Sequence, residues 1–185
     1  MSQRLDILAN VPGLLEAELA GDKRSFTLGV EGISGRMRAY YRKGIDDDEL
    51  ERLTALLLRP GIKELKLFYI ISGLEEAADL EEFAAFARKL DEARTDQAPG
   101  LRILASAGYL VRLPRTPLQY APLCLDRSLL EGIAKSMAAS CDANRIEFRL
   151  AADFSEYATD QLLGLGGSPL ADWLESVPGA GYTYD

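Results

Sequence analysis

A carboxylate between glycines is the side chain of this sequence that is best placed to bind a small molecule. Glu31 ends a short apolar run and is flanked by Gly29 and Gly32. A carboxylate at the end of a strand can accept hydrogen bonds from a ribose or an ammonium group, and glycines let a ligand approach the backbone closely. Two structural roles fit equally well: Glu31 could cap a helix that begins near Ser34, or it could pair with Arg36.

The segment that follows Glu31 is basic and carries no acidic residue. The basic residues are Arg36, Arg38, Arg42 and Lys43. The first three lie at positions i, i+2 and i+6, a spacing that spreads side chains around a helix instead of along one face. We therefore predict that most of them are solvated. Arg36, in the first turn, is the one placed to face a carboxylate group.

Several classes of catalysis are excluded by composition. The chain contains no histidine, which removes Ser-His-Asp and Cys-His mechanisms and HExxH zinc chemistry. Any proton transfer near neutral pH would use a carboxylate, lysine, tyrosine or cysteine with a shifted pKa. The two cysteines, Cys124 and Cys141, are far apart and outside any CxxC pattern, so each is predicted to be a buried, inert thiol.

The overall charge and hydropathy limit the partners. A net charge of -8 over 185 residues repels a phosphate backbone, so nucleic acid is not expected as a partner. No apolar run has the roughly 18 to 20 residues needed to cross a bilayer, and no signal peptide is visible at the N-terminus. We therefore expect a cytoplasmic protein without membrane contact.

Strands and helices alternate along the chain. Short runs of β-branched, aromatic and leucine residues predict strands. The predicted strands cover residues 4–8, 25–30, 64–71, 102–111 and 145–150. Amphipathic helices are predicted between them, one with Asp46 to Asp48 at its start, one over residues 79–94, and one capped by Asp126 or Ser128. This order indicates an α/β fold with parallel strands. Four or five strands suit either an open doubly wound sheet or a section of a barrel.

Four segments, in order, resemble the second half of a known enzyme family. They are "FTLGVEGISGRMRAYYRKGI", "LKLFYIISGL", "PRTPLQYAP" and "LLGLGGSPLADWLESVPGAGYTYD". Together they resemble radical S-adenosylmethionine (radical SAM) proteins of the subgroup that often carries a cobalamin-binding-like domain. The resemblance implies a partial, half TIM-type barrel of about four parallel βα units over residues 1–150, with a small helical C-terminal extension over residues 151–185.

The resemblance also implies roles for individual residues. Glu31 and Ser34 match the turn that meets the ribose or amino-acid part of S-adenosylmethionine, and Arg36 matches the basic position beside it. Gly73 matches the glycine that ends a strand beside the adenine. The residues of the loop after the last barrel strand of this set would be Thr116, Pro117, Gln119 and Tyr120. No catalytic and no metal-binding residue is implied within this chain.

The sequence departs from the family pattern at three places. The CxxxCxxC loop that holds the 4Fe–4S cluster is absent. The acidic position expected after Gly73 is Ala77, and the arginines expected in the tail are replaced by "GLGGSP". A chain without the cluster cannot cleave S-adenosylmethionine reductively, so no cofactor is expected to stay bound to this chain alone.

These observations leave three functions open. In the first, the chain contributes the distal half of the S-adenosylmethionine pocket, and its partner is the missing N-terminal part of the barrel, which carries the cluster. In the second, it is a degenerate barrel half that acts as a non-catalytic scaffold or interaction module, with an exposed strand edge that also allows a homodimer. The third is an unrelated small-molecule enzyme on an open α/β sheet.

Overall fold

The computed structural model describes residues 11–179, and their strands pair into one parallel sheet. The elements are α1 (Leu14–Ala20), β1 (Ser25–Glu31), α2 (Gly35–Tyr40), α3 (Asp47–Ala55), β2 (Glu64–Ile71), α4 (Ala77–Gln97), β3 (Arg102–Tyr109), a 3-10 turn (Pro117–Tyr120), α5 (Arg127–Ala143), β4 (Glu147–Leu150), α6 (Phe154–Leu165) and α7 (Pro169–Ser176). The predicted α/β class and parallel pairing are confirmed. The strand predicted over residues 4–8 lies outside the described residues.

The strand and helix boundaries follow local chemistry. β4 begins two residues later than predicted because Arg145 has a positive φ of 53° in the turn that ends α5. α4 begins at Ala77, ahead of the predicted start, because Glu76 and Asp79 form a capping box at its N-terminus. Asp126 caps α5 as predicted, with its carboxylate accepting a hydrogen bond from the Leu129 amide.

The strands lie in sequence order, β1-β2-β3-β4, and every neighbouring pair is parallel. Right-handed crossovers between successive strands that advance in one direction place the connecting helices on the same side of the sheet. Tyr69 of β2 accordingly packs edge-on against Phe83 of α4, with ring centroids 5.3 Å apart. Met137 and Cys141 of α5 belong to the same buried core. A doubly wound sheet would instead reverse its strand order and carry helices on both sides.

Alternate residues of each strand point to one of two faces. On the helix face, the side chains are apolar and buried; on β1 and β2 they are Phe26, Leu28, Val30, Leu65, Leu67, Tyr69 and Ile71. We call the opposite side the polar face. It carries Ser25, Thr27, Gly29, Glu64, Lys66, Phe68, Ile70, Arg102, Leu104, Ser106, Gly108, Glu147 and Arg149.

The segment after β4 packs on the carboxyl end of the sheet. Tyr157 of α6 is buried against Tyr109, the last residue of β3, with ring centroids 5.3 Å apart. Its hydroxyl donates a hydrogen bond to the carbonyl of Cys124 at 2.8 Å. This bond connects α6 to the long loop between β3 and α5. Within residues 11–179, no helix combines the length and apolar character needed to cross a membrane.

Candidate functional site

Glu31 lies at the carboxyl end of β1 with its side chain turned back over the polar face. Its φ of 67° is in the left-handed region, and the register with β2 shifts between Gly29 and Glu31. A Cβ placed on Gly29 would lie 2.6 Å from the Glu31 Oε1 atom, so the carboxylate occupies the space that a side chain at Gly29 would fill. Non-glycine residues rarely adopt this backbone conformation, and those that do cluster at functional sites.

Glu31 is paired with Lys43. The Lys43 Nζ atom lies 3.0 Å from Glu31 Oε1, and the two side chains keep 30% and 25% of their exposure. Neither structural role predicted for Glu31 is correct: Ser34 caps α2 with its own hydroxyl, and Arg36 pairs elsewhere. A pair this accessible contributes at most about 1 kcal/mol. A ligand ammonium or hydroxyl group can therefore replace Lys43 at low cost.

A tyrosine hydroxyl without a hydrogen bond lies near this pair. The Tyr41 hydroxyl is buried and has no hydrogen-bond partner in the described part of the chain, although the side chains of Ser72, Glu75 and Glu31 lie around it. Burial raises the pKa of Tyr41, and nearby Ser72 offsets only part of that rise, so the phenol stays neutral. An unpaired buried hydroxyl is costly, and it adds a hydrogen-bonding group to the surroundings of Glu31.

Ser34 and Arg36 are held by a buried carboxylate of the chain itself. The Ser34 hydroxyl donates to Asp79 Oδ1, and Arg36 pairs with both oxygens of Asp79 and donates to the Leu74 carbonyl. Ser34 has no exposed surface, whereas the Arg36 side chain keeps 49% of its exposure. The Arg36 guanidinium can therefore still meet a ligand, while the Ser34 hydroxyl is enclosed and already paired.

Asp79 is strongly acidic in this network. Burial acts to raise its pKa, but hydrogen bonds from Arg36, the Glu76 amide and Ser34 outweigh burial and lower the pKa from 3.8 to about 2. The folded state favours the ionised form of Asp79. The carboxylate therefore makes its full contribution to the free energy of unfolding at pH values above the pKa that Asp79 has in the unfolded chain. This contribution is lost as the pH falls through the folded pKa.

We expect this carboxylate to contribute to acid unfolding. Protonation of Asp79 between about pH 5 and pH 2 should remove roughly 2 kcal/mol of stability, most of it by pH 2.5. Urea unfolding at pH 5 and pH 2.5, for the wild type and Asp79→Asn, measures this directly. The Asn variant should lose about 2 kcal/mol less than the wild type over this range. Equal losses for both proteins would contradict the assignment.

Arg38 is the buried exception in a segment predicted to be mostly solvated, in which Arg36 and Arg42 are exposed and Lys43 is partly exposed. Arg38 is 2% exposed, donates to the Ile45 carbonyl at 3.0 Å and pairs with Asp47 and Glu82. The Gly35 amide also donates to Glu82. α2 is thus tied by charge to the first turns of α3 and α4, and much of the positive charge after Glu31 is already neutralised within the chain.

The predicted adenine-side glycine is in contact with another part of the chain. Gly73 has a positive φ of 83°, and a Cβ there would lie 2.6 Å from the Cys124 sulfur. Cys124 is half-buried, whereas Cys141 is fully buried, and burial raises the pKa of its thiol to about 12. The buried thiol predicted for Cys141 is confirmed. In the loop predicted from Thr116 to Tyr120, a 3-10 turn forms, and the Tyr120 side chain is exposed.

The carboxyl half of the polar face has little side-chain volume. In register across the strands lie Gly29, Phe68 and Ser106, and the next row holds Ile70 and Gly108. We call these five residues the cradle. A Cβ on Gly108 would meet only the Ala151 methyl group, at 3.8 Å. Gly29, Ser106 and Gly108 add little side-chain volume beside Phe68. The Glu31 carboxylate takes the space over Gly29, while the space over Gly108 is open.

Sequence reasoning missed Lys43, Tyr41 and Asp79 as parts of this region. Lys43 belongs to a basic segment that is predicted to be mostly solvated, and Tyr41 and Asp79 carry no recognisable motif. One signal was present: the acidic residues around the start of α4 complement the basic residues of α2. That complementarity predicts the contact between the two helices, although it does not identify the individual pairs.

Searches of protein-family models, of curated proteins and of solved structures found no match to this chain. Across residues 11–179, no group of three or more His, Cys, Asp or Glu side chains is arranged to hold a metal ion. The candidate site is therefore defined by its geometry alone: Glu31 with Lys43 and Tyr41 at the carboxyl end of β1, beside the cradle.

Proposed function

We propose that this chain is the C-terminal part of a radical SAM protein and contributes the distal half of the S-adenosylmethionine pocket. The observation that carries the proposal is the cradle beside Glu31 on a sheet whose strands run in sequence order. A parallel sheet whose strands lie in sequence order, with its helices on one side, has the arrangement of a β/α barrel section. In such a half TIM-type barrel, the polar face is the interior, and ligands bind at the carboxyl ends of the strands.

The residues present fit a nucleoside with a charged amino-acid part. The cradle would accept the flat ring system on Phe68, and Glu31 would accept hydrogen bonds from a ribose or from the ammonium group in place of Lys43. Arg36, half-exposed, would face the carboxylate. The Fe–S cluster, which supplies the electron for reductive cleavage in this family, would be held by another segment or chain, since this one lacks the cysteine motif.

The alternative role, a non-catalytic scaffold or interaction module, also has support. All four residues assigned to the cofactor are engaged by the chain itself: Glu31 by Lys43, Ser34 and Arg36 by Asp79, and Gly73 by Cys124. A pocket that had lost its ligand would be expected to close in this way. The two functions differ in whether the native assembly binds S-adenosylmethionine.

Calorimetric titration of S-adenosylmethionine into the native assembly, purified anaerobically, tests the proposal. We expect Glu31→Gln to weaken binding roughly tenfold or more, since a hydrogen bond to a charged group contributes about 1.5–3 kcal/mol. Gly108→Leu should abolish binding by filling the cradle, while the surroundings of Gly108 leave room for a side chain. Glu81→Gln, an exposed change on α4, is the matched control and should bind as the wild type does.

Each outcome of this titration decides between the functions. Binding that is weakened by Glu31→Gln and Gly108→Leu but unchanged by Glu81→Gln supports the pocket. Binding that neither variant changes, with thermal unfolding like that of the wild type, would place the cofactor away from this chain. No binding by the wild-type assembly would favour the scaffold.

A further inference from the structure

Two cations on the polar face have no acidic partner within residues 11–179. Lys66 of β2 is half-buried, and its Nζ atom lies 4.5 Å from the centroid of the Phe68 ring. Its side chain forms no ion pair and no hydrogen bond with the described residues. Arg149 of β4 is exposed and forms neither a hydrogen bond nor an ion pair with any part of the chain that the structure describes. Partial burial of an ammonium group without a countercharge is unfavourable.

The other charges of this face are compensated. At the amino end, Arg102 pairs with Glu64 at 2.6 Å and with Glu147 at 2.5 Å, and the Ser25 hydroxyl donates to Glu64. At the carboxyl end, Glu31 pairs with Lys43. The middle of the face is thus locally positive in a chain whose net charge is -8.

The strand register places the two cations on either side of β3. Lys66 is level with Leu104, and Arg149 is level with Ser106, so they are two strands apart and displaced by two residues along the strands. This corresponds to roughly 10 Å across the sheet and about 7 Å along it. Leu104 and Ser106, which lie between the two cations, are buried. Long side chains at positions 66 and 149 can therefore converge on one group that covers this part of β3, next to the cradle.

We propose that Lys66 and Arg149 bind an oxyanion, a carboxylate or phosphate group, of the substrate. The identification of that anion as part of the substrate rests on the proposed function, because both cations lie on the face that would be the barrel interior. An oxyanion between an ammonium and a guanidinium group forms charge-assisted hydrogen bonds with both. The Thr27 hydroxyl, on the same row as Lys66, adds a further donor.

NMR titration of the 185-residue chain with inorganic phosphate and, separately, with sodium acetate tests the site, with sodium chloride at equal ionic strength as the reference. We expect saturable shifts of the amide signals of Thr27, Lys66, Ser106 and Arg149. Lys66→Met and Arg149→Met should each weaken binding at least about fivefold. The controls Lys63→Met and Arg88→Met, both at exposed positions, should leave it unchanged.

The two anions distinguish the source of the oxyanion. Binding of phosphate alone identifies a phosphorylated substrate, binding of acetate alone identifies a carboxylate, and binding of both supports an oxyanion site without selectivity between them. Shifts spread over the whole surface, or weakened equally by the control variants, would overturn the proposal. The amide spectrum of each variant also reports whether it is folded.

Failure of this inference is distinguishable from failure of the proposed function. Anion binding is measured without S-adenosylmethionine, and cofactor binding is measured in the native assembly. If the assembly does not bind the cofactor but phosphate or acetate binds at Lys66 and Arg149, the anion site stands and its link to a radical SAM substrate is overturned. If the cofactor binds and neither anion does, only the anion site is overturned.

Discussion

Replacing Gly32 by alanine should destabilise the folded protein by about 3 kcal/mol or more. A Cβ at this position would fall within the van der Waals radii of the Arg38 nitrogen and the Met37 carbonyl carbon, and 2.8 Å from the Arg38 Cα atom. These are backbone atoms of α2, so the helix itself would have to move away from β1. Overpacking usually costs about 1–3 kcal/mol, and a clash with backbone should reach or exceed the top of that range. Urea unfolding followed by circular dichroism measures the change.

Gly132→Ala is the matched control for this prediction. Gly132 lies within α5, and a Cβ there would meet no atom within 4 Å. The same substitution should therefore stabilise the protein by about 0.5–1 kcal/mol, because alanine loses less conformational entropy in a helix than glycine. If Gly32→Ala unfolds at the same urea concentration as the wild type, the close packing of α2 on the end of β1 is wrong.

Removal of the Asp79 carboxylate should be the second largest effect. Asp79→Ala leaves the buried Ser34 hydroxyl and the Glu76 amide without their acceptor and frees Arg36 from its partner. Buried donors left unsatisfied cost about 1–3 kcal/mol each, and Arg36 recovers part of the loss by hydration. We expect a net destabilisation of about 3 kcal/mol at pH 7, measured by urea unfolding.

Asp96→Ala, near the other end of the same helix, controls for the loss of a carboxylate from α4. Asp96 is exposed, and a surface substitution of this kind changes stability by no more than about 0.5 kcal/mol. Similar effects of the two substitutions would show that the network around Asp79 contributes little. The contrast matters for the site, because Asp79 holds Arg36 beside the carboxyl end of the sheet.

The fold was largely predictable from the sequence because its signals are local. Apolar runs bounded by turn residues located β1, β2 and β3, and the acidic starts of the helices located their N-termini. The choice between a doubly wound sheet and a barrel section was not local. It depends on which strand pairs with which, and the sequence-order pairing of the described strands appears only in three dimensions.

The site was less predictable because its partners are distant in sequence. The place of Glu31 at the end of an apolar run predicts a residue at the end of a strand. Its partner Lys43 lies in a segment predicted to be mostly solvated, so the pair was not predicted. The partners of Arg36 and Arg38 include Asp79 and Glu82, more than forty positions away. Helix spacing predicts which side chains share a face, but it does not predict which neighbouring helix that face meets.

The glycines illustrate the same limit. Glycine is required at Gly32 and Gly73 because a Cβ atom would clash there, with the backbone of α2 at Gly32 and with Cys124 at Gly73. In the sequence they are indistinguishable from Gly108, which instead leaves space on the polar face, and from Gly29, whose space is occupied by the Glu31 carboxylate. Only the structure separates glycines that allow tight packing from glycines that leave room for a ligand.

Ultraviolet cross-linking of S-adenosylmethionine to the native assembly, purified anaerobically and mapped by peptide mass spectrometry, tests the central claim most directly. The proposed pocket predicts covalent label on peptides that contain β1 with the segment up to Lys43, or on the cradle residues of β2 and β3. It also predicts that Gly108→Leu removes this label. Label confined to other polypeptide segments, in an assembly that binds the cofactor and contains this chain, would contradict it.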